Sequence, residues 1–245
     1  MILCELVPRY EKEFLTQALT IRDNFPQISG INIPDVLRLD TRSYDAADLL
    51  LSHGINAVPH IRTIDLPLEV TIDIISKLVD KGLKQVLIVT GDMPISIAAK
   101  TYPVTPAMVV HEVREKFPEL KVYCAIDPYR QSFQKELTYC REKLRFGAHG
   151  FFSQPFFDKH LSRIFSEQLP ETEFFTGISP VTSEGSYNYW ITRNKAIFPQ
   201  EFELTLEYNC QLGREIIEMA EAQGNHVYLM PIKLHPIEYL QKLFV

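Results

Sequence analysis

The sequence is poor in the features that mark several large classes of protein. Its four cysteines, Cys4, Cys124, Cys140 and Cys210, form no CxxC pair, which argues against a zinc knuckle or a redox dithiol. Lysine and arginine form no run, and the net charge of −6 argues against a nucleic-acid surface. No apolar stretch is long enough to span a bilayer, and no basic-then-apolar leader begins the chain. We therefore expect a soluble cytoplasmic protein that binds neither nucleic acid nor membranes.

The common catalytic sequence motifs are also missing. Glycine is scarce, with 10 residues in 245, and no GxGxxG or Walker sequence follows an early strand. This disfavours a doubly wound open sheet with a phosphate loop. There is no GxSxG sequence, no catalytic Cys–His pattern and no His/Asp/Glu cluster with the spacing of metal ligands, so we expect no metal site.

What the sequence does contain is a series of eight short apolar runs, rich in β-branched or aromatic residues. Such runs, without strict alternation, are typical of strands buried on both faces of a parallel sheet. They cover residues 2–8, 30–35, 56–62, 85–92, 121–127, 150–156, 173–181 and 226–232. Amphipathic helical patterns cover residues 11–25, 66–84, 105–118, 132–148 and 203–224. This order predicts a (β/α)8 barrel that forms a single domain over residues 1–245, with an open sheet as the alternative.

Polar and charged side chains follow almost every predicted strand. A barrel brings the carboxyl ends of its strands to one mouth, where barrel enzymes keep their sites. Because such groups are costly to bury, their recurrence indicates a site at that mouth. For some of them a helix cap, a core histidine or a turn stays open as an alternative. The strand-end groups are Glu5, Asn32, Asp35, His60, Arg62, Asp65, Asp92, Asp127, Arg130, Gln154, Asp158, Lys233 and His235.

Two of these groups are the hardest to explain as structural residues. Glu5 lies within the apolar LCELV, where desolvation would raise its proton affinity and suit a general acid near neutral pH. Gln154 lies in FFSQPFF, where strand alternation places it on the same face as Phe152 and Phe156. A buried amide needs hydrogen-bond partners, and a ligand with a donor–acceptor edge would supply them.

Taken in order, six segments resemble the methylenetetrahydrofolate reductase family, the flavin-dependent barrel enzymes of one-carbon metabolism. The segments are CELVP, VPHIRTID, VTGDMP, FGAHGFFSQPFFD, GISPV and AIFP, and the resemblance covers nearly the whole chain. It implies an oxidoreductase acting on a CH–NH group. This enzyme would reduce 5,10-methylenetetrahydrofolate to 5-methyltetrahydrofolate, in methionine biosynthesis, with FAD as cofactor and NADH or NADPH as electron donor.

The resemblance also assigns roles to individual residues. Glu5 would be the general acid that opens the methylene bridge to an iminium. Asp92 would contact the pterin and the flavin and favour this cation electrostatically. Gln154 would hydrogen-bond the pterin end of the folate. The expected cofactor-binding residues are Asn32, His60, Asp127, Tyr129, Arg130, Glu136 and Lys143.

Three departures from the family pattern keep other functions open. Thr90 stands where the family has an arginine before Gly-Asp, IDPYRQSF replaces a loop that lines the flavin site, and YLMPIK replaces a Leu-Asn-Arg segment. One alternative is a flavin-free reductase that takes hydride directly from a nicotinamide. Another is a pterin-binding barrel that acts in methyl transfer with partner subunits. An aldolase-like barrel would need Lys233 as its Schiff-base lysine. An apolar outer helix face would allow a homo-oligomer.

Overall fold

The computed structural model describes residues 1–94 and 100–245, and it confirms the predicted (β/α)8 barrel. Eight strands close into one barrel in chain order, and every neighbouring pair is parallel. The strands are β1 (Ile2–Glu5), β2 (Ile28–Ile33), β3 (Ala57–Arg62), β4 (Gln85–Val89), β5 (Lys121–Ile126), β6 (Gly150–Pro155), β7 (Glu173–Ile178) and β8 (His226–Leu229). The helices on the outside are α1 (Glu11–Asn24), α2 (Ser43–Ser52), α3 (Leu68–Asp80), α4 (Pro106–Lys116), α5 (Phe133–Arg145), α6 (Lys159–Glu167), α7 (Glu184–Asn194), α8 (Leu206–Ala222) and α9 (Pro236–Leu243).

The helical patterns in the sequence predict α1, α3, α4, α5 and α8 but miss α2, α6, α7 and α9. The missed helices have 8 to 11 residues, so each shows only two or three turns of apolar repeat. Helices this short are stabilised mainly by packing against the barrel rather than by their own propensity. None of the helices in the described parts of the chain is long and apolar enough to cross a bilayer.

Aromatic side chains fill the barrel interior below the mouth. The rings of Phe152 and Phe175 stack with their centroids 4.1 Å apart, and Tyr123 packs edge-on against both. Tyr228 lies against Phe152, and Leu3 belongs to the same buried cluster. This layer supports the mouth from below, because barrel interiors of this size are packed rather than hollow.

The predicted alternation of Phe152, Gln154 and Phe156 on one strand face is wrong at Phe156. Phe152 points into the barrel interior, whereas Phe156 belongs to the outer core, where its ring centroid lies 5.6 Å from that of Phe165. The register between β6 and β7 shifts between Phe152 and Pro155, and the strand ends at Pro155. Because a one-residue shift exchanges the faces of a strand, the regular alternation ends there.

A network of charges closes the opposite end of the barrel, at the amino ends of the strands. The Glu173 carboxylate accepts hydrogen bonds from Lys121 Nζ at 2.5 Å and from the Tyr123 hydroxyl at 2.6 Å. His226 lies 3.7 Å away. Together these groups, His226 foremost, lower the pKa of Glu173 to about 2. Charge pairs at this end serve stability, whereas the chemistry of such barrels lies at the other end.

Candidate functional site

A cavity of about 730 Å³ opens at the carboxyl ends of the strands. Glu5 from β1, Asp92 from the segment after β4, and Gln154 from β6 all line it. These three residues are separated by up to 149 positions in the chain and meet only because the barrel closes. A volume of this size is typical of sites for small organic ligands.

Glu5 is the carboxyl group in the floor of this cavity. It follows Leu3 by two positions on β1, so it lies on the same interior face, one layer above the aromatic cluster. Burial raises the pKa of Glu5 to about 7, although a hydrogen bond from Asn32 opposes this shift. A carboxyl group with this proton affinity can donate a proton near neutral pH.

Asn32 lies beside Glu5 below the cavity surface, and His60 lies beside Asn32. Asn32 Nδ2 is 3.5 Å from Glu5 Oε2 and 2.8 Å from His60 Nε2, and the Asn32 side chain is fully buried. Burial lowers the pKa of His60 to about 4, so the imidazole is neutral at physiological pH. Neither of these two predicted cofactor contacts lines the cavity: Asn32 contacts the carboxyl group of Glu5, and His60 contacts Asn32.

Asp92 is exposed at the cavity, and its backbone is held by Arg62, a strand-end residue to which the sequence assigned no role. Arg62 Nη2 donates to the Asp92 carbonyl oxygen at 2.5 Å. Its guanidinium lies against Gly91, where a Cβ atom would be 2.6 Å from Arg62 Cζ and where φ is +86°. Only glycine allows both the close approach and this backbone conformation. The Gly-Asp turn is thus shaped around Arg62.

Arg62 belongs to a chain of alternating charges at the end of β3. Asp65 Oδ2 accepts from Arg62 Nε at 2.9 Å and from Arg42 Nη2 at 2.7 Å. Arg42 also binds Asp35 through two nitrogens, at 2.8 and 2.6 Å. Paired guanidinium and carboxylate groups of this geometry are strongly oriented. The network accounts for three of the strand-end charges and fixes the loop that carries Asp92.

Gln154 is half-buried and faces the cavity from β6. It follows Phe152 by two positions, so it lies on the interior face above the aromatic cluster. Its side-chain amide has no hydrogen-bond partner within residues 1–94 and 100–245. An amide in such a position offers one donor edge and one acceptor edge to a bound molecule.

Of the three predicted cofactor residues of the loop after β5, Asp127 and Tyr129 are hydrogen-bonded to the protein itself. Asp127 Oδ1 accepts from the backbone of Tyr129 at 3.0 Å. The Tyr129 hydroxyl donates to the Pro155 carbonyl at 2.7 Å, and its ring is buried in a cluster with Phe157. Arg130 is exposed. None of these residues of the loop lines the cavity.

Glu136 and Lys143 are buried between α5 and β5. Glu136 accepts from the backbone of Asp127 at 3.0 Å, and Lys143 Nζ donates to the Ala125 carbonyl at 2.6 Å. With only 4% of Lys143 exposed, its ammonium group is not available to a phosphate in this arrangement. None of the seven residues expected to bind a cofactor lines the cavity, and their role in cofactor binding stays a prediction.

Other cavity residues could not be found from the sequence. Several are cations or aromatic residues that follow β1 or β2 or lie on α7, and no pattern in the sequence associates them with the mouth. They are Arg9, Tyr10, Arg38, Tyr189 and Trp190. Lys233 and His235, which the sequence predicted at the mouth, also line the cavity. In the parts of the chain described by the structure, no three acidic, histidine or cysteine side chains are arranged to hold a metal ion.

Comparison with known proteins gives one family and several solved structures of the same fold. The model of the methylenetetrahydrofolate reductase family matches residues 24–217. An uncharacterized protein from Clostridium thermocellum, which binds two copies of 5-methyl-5,6,7,8-tetrahydrofolic acid, is 14% identical, with a TM-score of 0.66 over 99% of this chain and 93% of that one. Oxaloacetate acetylhydrolase is 9% identical, with a TM-score of 0.59 over 94% and 75% of the two chains. The corresponding values for 2,3-dimethylmalate lyase are 9%, 0.60, 95% and 76%. At these identities the structural likenesses show the fold alone.

Proposed function

Because this chain belongs to the methylenetetrahydrofolate reductase family, we propose that it binds a reduced folate at the barrel mouth and reduces 5,10-methylenetetrahydrofolate to 5-methyltetrahydrofolate. The observation that carries this proposal is that Glu5, Asp92 and Gln154 line one cavity. The Clostridium thermocellum protein of the same fold, which binds 5-methyltetrahydrofolate, supports a folate as the ligand.

In this mechanism Glu5 supplies the proton. It protonates the folate nitrogen that leaves the methylene bridge, and the carbon–nitrogen bond breaks to give an iminium cation. A hydride then adds to the methylene carbon and gives the methyl group, so that one proton and one hydride are consumed. The burial that raises the pKa of Glu5 to about 7 keeps the proton available at neutral pH.

Asp92 and Gln154 act on the substrate without exchanging a proton. The Asp92 carboxylate would favour the iminium cation electrostatically, because a fixed negative charge is most effective where positive charge develops. The hydrogen bond from Arg62 to its backbone keeps that carboxylate at the mouth. The Gln154 amide would hydrogen-bond the donor–acceptor edge of the pterin and so orient the bridge towards Glu5.

The source of the hydride separates two candidate functions. The family is generally flavin-dependent, and a bound FAD reduced by NADH or NADPH would supply hydride chemistry. However, none of the residues expected to hold FAD lines the cavity, and the side chains of all of them except Arg130 are hydrogen-bonded to protein groups. This observation favours the second candidate, a reductase in which NADH or NADPH passes hydride directly to the same substrate.

Substitution of Gln154 tests the folate site. Gln154→Ala should weaken the binding of 5-methyltetrahydrofolate about 10- to 100-fold, because one or two hydrogen bonds to a buried pterin edge are lost. Isothermal titration calorimetry measures this affinity. Gln27→Ala, an exposed glutamine before β2, is the matched control and should bind like the unchanged protein. Equal affinity of Gln154→Ala and the control would remove Gln154 from the site.

The hydride source is tested with the purified protein after removal of free cofactors. Oxidation of NADH or NADPH is followed with 5,10-methylenetetrahydrofolate present, first without and then with added FAD. Turnover without any flavin absorption band is expected for direct transfer. A retained flavin band and turnover that depends on FAD would instead establish the flavoprotein. Binding of folate without turnover in either case would point to the methyl-transfer barrel.

A further inference from the structure

The Asn32 amide lies between the carboxyl group of Glu5 and the imidazole of His60. Asn32 and Glu5 are direct partners across β1 and β2, and Asn32 Nδ2 is within 3.5 Å of Glu5 Oε2 and 2.8 Å of His60 Nε2. In this orientation the amide nitrogen donates both hydrogen bonds, so His60 Nε2 must accept. The imidazole therefore carries its proton on Nδ1.

The oxygen end of the same amide is unsatisfied. Asn32 Oδ1 is buried and accepts no hydrogen bond from any residue in the described ranges 1–94 and 100–245. An unsatisfied buried carbonyl is costly, and such a group in a folded protein calls for an explanation. A half-turn about the Cβ–Cγ bond would exchange Oδ1 and Nδ2, which places the acceptor beside Glu5 and His60.

We propose that Asn32 and His60 are positioning residues for Glu5, and that the Asn32 amide rotates by half a turn about its Cβ–Cγ bond when Glu5 changes its protonation state. Beside the Glu5 carboxylate, Nδ2 donates to Oε2 and to His60 Nε2, as observed. When Glu5 is protonated, Asn32 Oδ1 accepts hydrogen bonds from the Glu5 hydroxyl group and from His60 Nε2–H. Glu5 thus keeps a partner before and after it gives up its proton.

The proton balance of this exchange is closed. Glu5 gains or loses one proton, and the amide changes only its orientation. The imidazole releases its Nδ1 proton to solvent and takes one up from solvent on Nε2, so it neither gains nor loses a proton overall, and it stays neutral because burial lowers the pKa of His60 to about 4. A neutral imidazole is suited to this role because each tautomer offers one donor and one acceptor.

Other titratable groups also face Glu5. Cys4 is its neighbour on β1, and Tyr228 lies below it from β8, where the charge of Glu5 adds to the burial that raises the pKa of the tyrosine. The walls of the cavity carry further charged groups, but among the described residues only Asn32 is in hydrogen-bond contact with the Glu5 carboxyl group. The charged or titratable wall residues are Arg9, Tyr10, Glu13, Arg38, Asp92, Tyr189, Lys233 and His235.

The test is a substrate-free NMR titration of the unchanged protein, with 13C in glutamate side chains and 15N in histidine rings. The carboxyl resonance of Glu5 is assigned from Glu5→Gln. We expect His60 to change from the Nδ1–H to the Nε2–H tautomer as pH falls, with the same midpoint as Glu5, near pH 7. A His60 ring that keeps one tautomer throughout the Glu5 titration would overturn the proposal.

Two variants separate positioning from a general structural role. Asn32→Leu keeps the branching of the side chain at Cγ but removes its hydrogen-bonding groups. In this variant the midpoint of the Glu5 titration should rise, because a charge-assisted hydrogen bond to the carboxylate is lost. His60 should then no longer follow Glu5. An unchanged Glu5 midpoint in folded Asn32→Leu would count against the proposal. Glu5→Gln should abolish the tautomer change of His60. A tautomer change that persists in this variant would also count against the proposal.

The inference rests on the proposed role of Glu5, but its test does not use folate or measure turnover. A coupled titration in a protein that fails to reduce methylenetetrahydrofolate would uphold the positioning pair and reject the reductase. Reduction of methylenetetrahydrofolate by a protein whose His60 does not change tautomer with Glu5 would uphold the reductase and reject the positioning pair. In active protein, Asn32→Leu should also lower kcat about 10-fold with little change in KM for the folate, since Asn32 does not line the cavity.

Discussion

Glu5→Gln is expected to lower the rate of methylenetetrahydrofolate reduction by a factor of about 10² to 10⁴, the usual contribution of a positioned general acid. The amide has a similar shape but cannot release a proton at neutral pH. The affinity for 5-methyltetrahydrofolate should stay within a few-fold of the unchanged protein, because the substitution leaves Gln154 in place. Single-turnover reduction and calorimetric binding measure the two effects separately.

The pH dependence of the unchanged protein provides an independent check on the same residue. Glu5 can donate only when it is protonated, and burial raises its pKa to about 7. The rate should therefore be highest below pH 7 and fall about tenfold per pH unit above it. Glu115→Gln, an exposed glutamate on α4, is the matched control and should keep both the rate and this profile. Equal losses in Glu5→Gln and the control would refute the general acid.

Gly150→Ala should strongly destabilise the protein, although it adds only one methyl group. A Cβ atom at this position would lie 1.8 Å from the backbone oxygen of Glu173, the residue that pairs with Gly150 across β6 and β7. Neither backbone can move without breaking the closed barrel. We expect the free energy of unfolding to fall by about 4 kcal/mol or more, or the soluble protein to be lost. Urea denaturation followed by circular dichroism measures the change.

Gly185→Ala is the matched control for this substitution. A Cβ atom there would meet nothing within 4 Å, and the residue lies in the first turn of α7 without a positive φ. Alanine should leave stability unchanged or increase it by a few tenths of a kcal/mol up to about 1 kcal/mol, because it has the higher helix propensity. If Gly150→Ala unfolded at the same urea concentration as this control, the close approach of β6 and β7 would not limit residue size.

Gly150 also shows what a sequence pattern can predict and what it cannot explain. It belongs to FGAHGFFSQPFFD, one of the segments that resemble the family, and the pattern marks the position without giving a reason for glycine. The reason is the carbonyl oxygen of Glu173, which lies on another strand. Steric limits of this kind depend on the distance between two strands and are not written in either strand alone.

The amino-acid sequence by itself determined the barrel, the order of its strands and the residues at their carboxyl ends. Continuous apolar runs and intervening helical patterns are local properties that indicate parallel strands buried on both faces, and eight such runs without a phosphate loop favour the barrel over an open sheet. For the same reason the sequence indicated Glu5, Asp92 and Gln154, whose polar groups end apolar runs and lie together at the mouth. Their chemical roles stay predictions.

Only the tertiary structure decided which polar groups face the cavity and which are bonded within the protein. Lys143 has the charge expected of a phosphate contact, yet its ammonium group binds a β5 carbonyl in the outer layer. Asn32 contacts Glu5 and His60, and Arg62 holds the loop of Asp92. Phe156 leaves the face predicted for it because β6 shifts register. Hydrogen bonds and register join residues that are distant in the chain, so they are set by how the elements pack and not by any local pattern.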